Sequence, residues 1–324
     1  RERIMSKLLK SIAIATASVA ALAAPAMAMD KVRMVNSTKF VFECEHPYTG
    51  IEEGIFKKHN LDVSLIHGSG GAASLQAVVT GSQDIVWGNG VLGVISAYSK
   101  GAPVRILGSN IRGVPDLYWY VKVDSPIKSF KDLDGGKVMA YSRPGSTTDL
   151  AARFIADALN IKPKFVSVGG PGGSRTQLMS GQVESGWSVY PLNKNLLREG
   201  KIRIIGTGKE AKGLVGVTIR VVAANLNWLN KNRETAKRLM TALDESLKMT
   251  YNSDKRLQAY AKRWKLNYED IKTATEDTPY EVASLLPIAG FDKLNEIAFK
   301  NKKIKELLTP AQLKELIHPM GNKP

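Results

Sequence analysis

The chain is poor in the residues that build covalent or metal frameworks. One cysteine, Cys44, stands among 324 residues, which excludes an internal disulfide. Four histidines beside it are too few for a dense zinc framework. Acids are outnumbered by bases, 30 against 46, for a formal net charge of +16. Past residue 28 no apolar run reaches the ~20 residues that a membrane-crossing helix needs. What is present is globular in character: 44% hydrophobic and 23% charged residues exclude disorder and collagen. Single cores stop growing at about 250–300 residues, so two lobes are expected. The basic charge leaves three partners open: nucleic acid, an anionic membrane surface or a small anionic ligand.

Residues 1–28 account for part of that charge. A basic start through Lys10, an Ala-rich apolar run from Ile12 to Ala24 and the small-x-small site Ala26-Met27-Ala28 read as a secretory signal. Met5 is the expected start and Ala28 the last residue removed. Removal takes Arg1, Arg3, Lys7, Lys10 and Glu2, leaving +13 from +16. No cysteine stands at the cleavage point, so no lipid anchor is expected. The mature protein is expected to be soluble and exported, which argues against nucleic acid as a partner. The densest basic run, Lys300-Asn301-Lys302-Lys303-Ile304-Lys305, reads as the solvated face of an amphipathic helix.

Strand-like and helix-like segments then alternate: strands over 31–36, 61–66 and 84–87, helices over 47–59 and 72–80. Such alternation implies a parallel sheet covered on both faces. The arrangement returns about 100 residues later. A strand over 137–142, a helix over 147–159 and a strand over 165–168 are followed by Gly169 to Gly173, as residues 61–66 are followed by Gly68 to Gly71. Gly81, Asp84 and Trp87 match Gly181, Glu184 and Trp187 at one spacing. The strand-like runs 117–123 and 215–224 bracket the second unit and read as a paired hinge. From residue 231 the chain reads as helices. Lobe one is therefore expected over 29–124 and 213–324, and lobe two over 125–212. Lobe two carries 14 basic residues against 7 acids.

Open α/β sheets bind ligands at the carboxyl ends of their strands. There, Ser142, Arg143, Gly145, Ser146 and Thr147 open a helix, with Ser146 as N-cap and Asp149 completing a capping-box-like pattern. A helix start of this kind favours an anion. In the first unit the corresponding loop holds Ser37, Thr38, Phe40 and Phe42; the two aromatics are equally readable as a ligand wall or as core. Glu43-Cys44-Glu45-His46 is a weak metal or nucleophile cluster, one thiol and one imidazole without a second partner. Trp87 and Trp187 read as structural, which places Asn89, Ser188 and Tyr190 just beyond them at the cleft. Gly169 to Gly173 lacks the ending of a phosphate loop.

Taken in order, Pro47-Tyr48, Glu52 to Val63, Leu75-Gln76-Ala77, Thr80 to Asp84, Lys100 to Val104 and Ile127 to Val138 make the chain similar to the nitrate/sulfonate/taurine group of ABC-transporter solute-binding proteins. The resemblance implies a two-lobed type II periplasmic binding protein fold with a two-strand hinge and a ligand closed between the lobes; the return of the chain through 215–224 leads to the expectation that the helical C-terminal tail packs on lobe one. It carries polar ligand contacts onto Ser37, Thr38, Asn89 and Ser142 to Thr147. Where the group often has Trp-Glu-Pro, this chain has Trp187-Ser188-Val189-Tyr190-Pro191, without the acid. The expected ligand is a small organic anion, a sulfonate or aromatic carboxylate, captured by hinge closure. The expected protein partner is a membrane permease, and the expected state is a monomer without cofactor or enzymatic activity. The alternatives are a pyrimidine-precursor (thiamine-type) binding protein, a pyrimidine-synthesising relative, which relies on a cysteine cluster absent here, and a ligand-sensing subunit.

Overall fold

The computed structural model describes residues 28–320. The leader expected over 1–28 therefore lies outside the described residues, except for Ala28. Among the described residues no helix is long and apolar enough to cross a membrane.

The first half runs through β1 (Asp30–Asn36), α1 (Glu45–Glu52), α2 (Ile55–Lys58), β2 (Leu61–His67), α3 (Gly71–Val79), β3 (Ile85–Gly90), α4 (Val91–Ser99) and β4 (Val104–Arg112). β1 pairs in parallel with β2 on one side, Val32 opposite Val63, and with β3 on the other, Met34 opposite Ile85. The second half runs through β5 (Leu117–Lys122), β6 (Val138–Tyr141), α5 (Thr147–Leu159), β7 (Lys164–Ser167), α6 (Pro171–Met179), β8 (Gly186–Val189), α7 (Lys194–Arg198) and β9 (Ile202–Thr207). Here β6 and β7 form a parallel pair, and β8, β5 and β9 an antiparallel sheet. The chain then returns as β10 (Thr218–Asn225), which inserts antiparallel between β3 and β4.

Two expectations change here. The first sheet, β2-β1-β3-β10-β4, is mixed and not all parallel, because β10 enters it from the side of the second half. The run at 117–123 is not a hinge strand beside 215–224. Its residues Tyr118, Trp119 and Tyr120 are fully buried, and β5 is the central strand of the second antiparallel sheet. The chain crosses between the two sets of strands at 113–116 and 208–217.

The remainder is helical: α8 (Leu226–Lys231), α9 (Arg233–Tyr251), α10 (Asp254–Trp264), α11 (Tyr268–Asp277), α12 (Tyr280–Ala283), α13 (Phe291–Lys300) and α14 (Pro310–Leu316). Leu239, Met240 and Leu243 of α9 fall at helical spacing and are fully buried with Met34, Ile55, Phe56 and Trp87 of the first half. Burial of each such side chain contributes about 1.5–3 kcal/mol. Ions finish the attachment: Arg256 of α10, almost fully buried, pairs with Glu45 at 2.8 Å and Glu52 at 2.9 Å of α1. The helical tail thus packs on the first sheet. The basic run Lys300 to Lys305, expected on the solvated face of a helix, instead leaves it: the helix ends at Lys300 because Lys302 adopts a left-handed φ of 55° and reverses the chain, which buries Ile304.

Candidate functional site

A cleft of about 1080 Å³ opens where the carboxyl ends of β1, β2 and β3 face those of β6 and β7. Four helices, α3, α4, α5 and α6, begin at its wall, each directly after a strand or its turn. Parallel pairing causes this: every strand ends, and every following helix begins, on the same side. The positive ends of four helix dipoles therefore converge on one space.

On the first side, Ser37 donates to the Asn89 side-chain oxygen at 3.3 Å, and both residues are buried at the cleft floor. The neighbouring Thr38 is positioned through its carbonyl, which accepts from the Cys44 thiol at 3.1 Å and lies 3.0 Å from His67 Nδ1. Phe40, with φ 67°, is exposed at the rim and packs edge-on against Trp264. On the second side, Ser146 caps α5 by accepting from the Asp149 amide at 3.2 Å. The Asp149 carboxylate accepts from Gly145 N at 2.7 Å, one residue earlier than a capping box requires. Thr148 ties the loop together: its hydroxyl accepts from Ser142 N at 2.9 Å and lies 2.9 Å from Ser142 Oγ and 3.0 Å from Ser146 Oγ.

Nine of the residues expected from sequence line this cleft: Ser37, Thr38, Phe40, Asn89, Ser142, Arg143, Gly145, Ser146 and Thr147. Three do not. Phe42 is buried with Leu257, Tyr260 and Ile271, because the loop turns into a short helical segment after Val41 and carries the ring inward. Ser188 and Tyr190 point away from the cleft. Pleating puts Trp187 and Val189 on the cleft face of β8, and the residues between and after them on the other. The Ser188 hydroxyl instead donates to the Leu192 carbonyl at 3.1 Å, and Tyr190 stacks on Tyr118 with ring centroids 4.8 Å apart. Trp187, for which the recurrence favours a structural reading, forms part of the wall.

The charges of the cleft were mostly missed in the sequence. Lys39, Lys100, Arg143, Arg175, Arg220 and Lys303 line it, against one carboxylate, Glu43. Arg220 is neutralised in place, 3.0 Å from Glu43 and 2.7 Å from Asp116. Burial pushes the Glu43 carboxyl above its ordinary range. Among the described residues the other five cations form no ion pair. An apolar face accompanies them: Leu75 and Val79 of α3 with Leu92 and Ala97 of α4 continue the cleft on the first side. The cleft can hold an anionic group beside an apolar body.

The Glu43-Cys44-Glu45-His46 cluster is dispersed. Cys44 is buried and its thiol is pushed up by burial. His46 is buried and held neutral by its apolar surroundings, at about 3. Glu45 is paired with Arg256 and Arg263. Among the described residues no three metal-ligating side chains gather.

The model of the family described as NMT1/THI5 like matches residues 43–256. The chain belongs to this NMT1/THI5-like family. No curated protein matches it in sequence. Solved structures similar to it include a protein from Bordetella bronchiseptica RB50, at 25% identity and TM-score 0.65, covering 84% of this chain and 89% of that one. The periplasmic aliphatic sulphonate binding protein SsuA of Escherichia coli is similar at 18% identity and TM-score 0.72, over 91% of this chain and 94% of that one. The periplasmic nitrate-binding protein NrtA of Synechocystis PCC 6803 is similar at 19% identity and TM-score 0.60, over 76% and 70%. The fold is that of the periplasmic binding proteins. In this NMT1/THI5-like chain the family match stops at residue 256, so Lys303 lies beyond it.

Proposed function

We propose that this protein is the solute-binding component of an ABC importer: it captures a small organic anion between its lobes in the periplasm and delivers it to a membrane permease. The carrying observation is that five cleft cations lack a carboxylate partner among the described residues while four helices begin at the same wall. An anion there satisfies charges that otherwise repel one another. The apolar face of α3 and α4 supports an anion with a hydrocarbon or aromatic body, a sulfonate or carboxylate. The sulphonate-binding and nitrate-binding proteins of the same fold take anions, which supports the class. Ligand touching both lobes favours the closed arrangement through its differential affinity. The buried, proton-holding Cys44 and the neutral, enclosed His46 support a binder over an enzyme.

The test is a thermal-shift screen with butanesulfonate, benzoate, nitrate and an aminopyrimidine, followed by calorimetry on any compound that raises Tm. An anion raises Tm in proportion to the logarithm of its concentration and is recovered unchanged. Stabilisation by the pyrimidine alone, or conversion of a stabilising compound to product, overturns the reading. Ser146→Ala with Thr147→Ala weakens the bound anion about tenfold, the worth of one hydrogen bond to a charged group.

A further inference from the structure

We propose that Lys303 is the residue by which the first lobe reads the charge of the ligand, a specificity determinant supplied by the helical tail outside the family's common region. The inference rests on the anion-binding reading of the cleft and names the side chain that enforces it.

Three observations single out Lys303 from its basic neighbourhood. Lys300, Lys302 and Lys305 are exposed, whereas Lys303 is half-buried and lines the cleft. Its presentation is built. The chain leaves α13 at Lys300 and reverses at Lys302, and the buried Ile304 anchors the far side. The Lys303 amide donates to the Ala298 carbonyl at 2.8 Å. Its own carbonyl accepts from the hydroxyl of Ser96, a cleft residue of α4, at 2.8 Å. The backbone is thus held on both sides of the side chain, which fixes where the lysine stem enters the cleft.

The side chain also spans the two halves of the molecule. A methyl group on Gly145 would collide with Cε and the ammonium of Lys303, so the tail of the first lobe reaches the loop that opens α5. Gly145 has φ 78°, and the absence of a side chain leaves the room that the lysine fills. Arg143 answers from the opposite direction: a Cβ on Gly70 would lie 2.8 Å from its Nη2. Two cations, one from each half, therefore cross the mouth of one cleft. Among the described residues neither is paired with a carboxylate. A ligand carboxylate or sulfonate at the start of α5 brings Lys303 its counter-charge, and an uncharged analogue leaves the ammonium facing the helix dipole unpaired.

The experiment compares butanesulfonate with butanesulfonamide, its uncharged isostere, together with benzoate and benzamide, by calorimetry. The proteins are the wild type, Lys303→Gln, Lys303→Arg, and a control carrying Lys300→Gln, Lys302→Gln and Lys305→Gln. Wild type and the triple control bind the preferred anion alike. Lys303→Gln binds it about ten- to a hundredfold more weakly while its affinity for the amide changes less than threefold. Lys303→Arg recovers most of the loss, and thermal unfolding without ligand is the same for all four. Lys303→Gln binding the anion within twofold of wild type overturns the inference and leaves the anion reading standing. Equal losses for anion and amide also overturn it, since they mark a role in shape alone. Binding of neither anion by the wild type removes both the inference and the reading beneath it.

Discussion

The segments leading to Trp87 and to Trp187 are built alike and finish differently. In each, an acid three residues before the tryptophan reaches the opening strand of its own half. Asp84 accepts from the Arg33 amide at 2.8 Å, and Glu184 from the Val138 amide at 3.1 Å. In each, the indole N–H donates to a backbone carbonyl, that of Glu43 at 2.7 Å and that of Gly169 at 3.1 Å. Trp87 nevertheless lies in the core between β3 and α9, and Trp187 in the cleft wall. Gly88 then breaks the pleat with a φ of 73°, so Asn89 faces the cleft although Trp87 does not. Ser188 keeps the pleat and takes the inward place between Trp187 and Val189. A matched sequence therefore preserves the scaffold of a strand end, while one left-handed residue turns the side chain after it, Asn89, toward the cleft.

The comparison breaks most visibly at the tryptophans. Trp87→Ala lowers stability by about 3–5 kcal/mol in denaturant titration, as for a large core deletion. In Trp187→Ala the loss extends to ligand affinity by calorimetry. A pH series sharpens the same contrast, because His46 packs edge-on to Trp87 with ring centroids 6.1 Å apart. Its imidazole titrates at about 3 in place of the ordinary 6.5, so the unfolded chain binds the extra proton. Stability is full above pH 6.5 and drains as the pH falls toward about 3. His46→Phe flattens this decline, recovering about 3 kcal/mol at pH 4 relative to wild type; an unchanged slope places the acid lability elsewhere. Gly88→Ala imposes about 1–2 kcal/mol of left-handed strain. Its new Cβ also stands 3.0 Å from Glu43 Oε1, so affinity falls together with stability. Ser188→Ala, the smallest change, costs about 1 kcal/mol of stability through the lost bond to Leu192 and leaves ligand affinity as it was.

Much of the cleft was legible in advance because it depends on local chemistry. The helix start at Thr147 was readable from Ser146 and Asp149: Ser146 makes the expected cap, while the Asp149 carboxylate bonds the Gly145 amide, one residue before the N-cap amide that a capping box uses. Phe40 and Phe42 were not separable, since their neighbouring sequence is equally apolar; the turn between them sends one to the rim and the other under α10. Ser188 and Tyr190 were misplaced because strand parity beyond a tryptophan cannot be transferred between repeats when one of them contains a left-handed glycine. The strand at 117–122 looked like a connector from its position between two units. Its neighbours in space, β8 and β9, pair with it from as far on as Gly186 opposite Tyr120 and Thr207 opposite Tyr118, and no local signal names them.

By itself, then, the order of residues determined the alternation of strands and helices, the recurrence of one design, and the glycine and hydroxyl turns that place helix starts at strand ends. These follow from backbone conformation and from side chains within a few positions of each other. The tertiary structure alone decided the charge of the cleft. Lys39, Lys100, Arg143, Arg175 and Lys303 come from segments spread over most of the chain. Burial and counter-charge, which decide what a cation does, belong to the space around it and not to its neighbours in sequence.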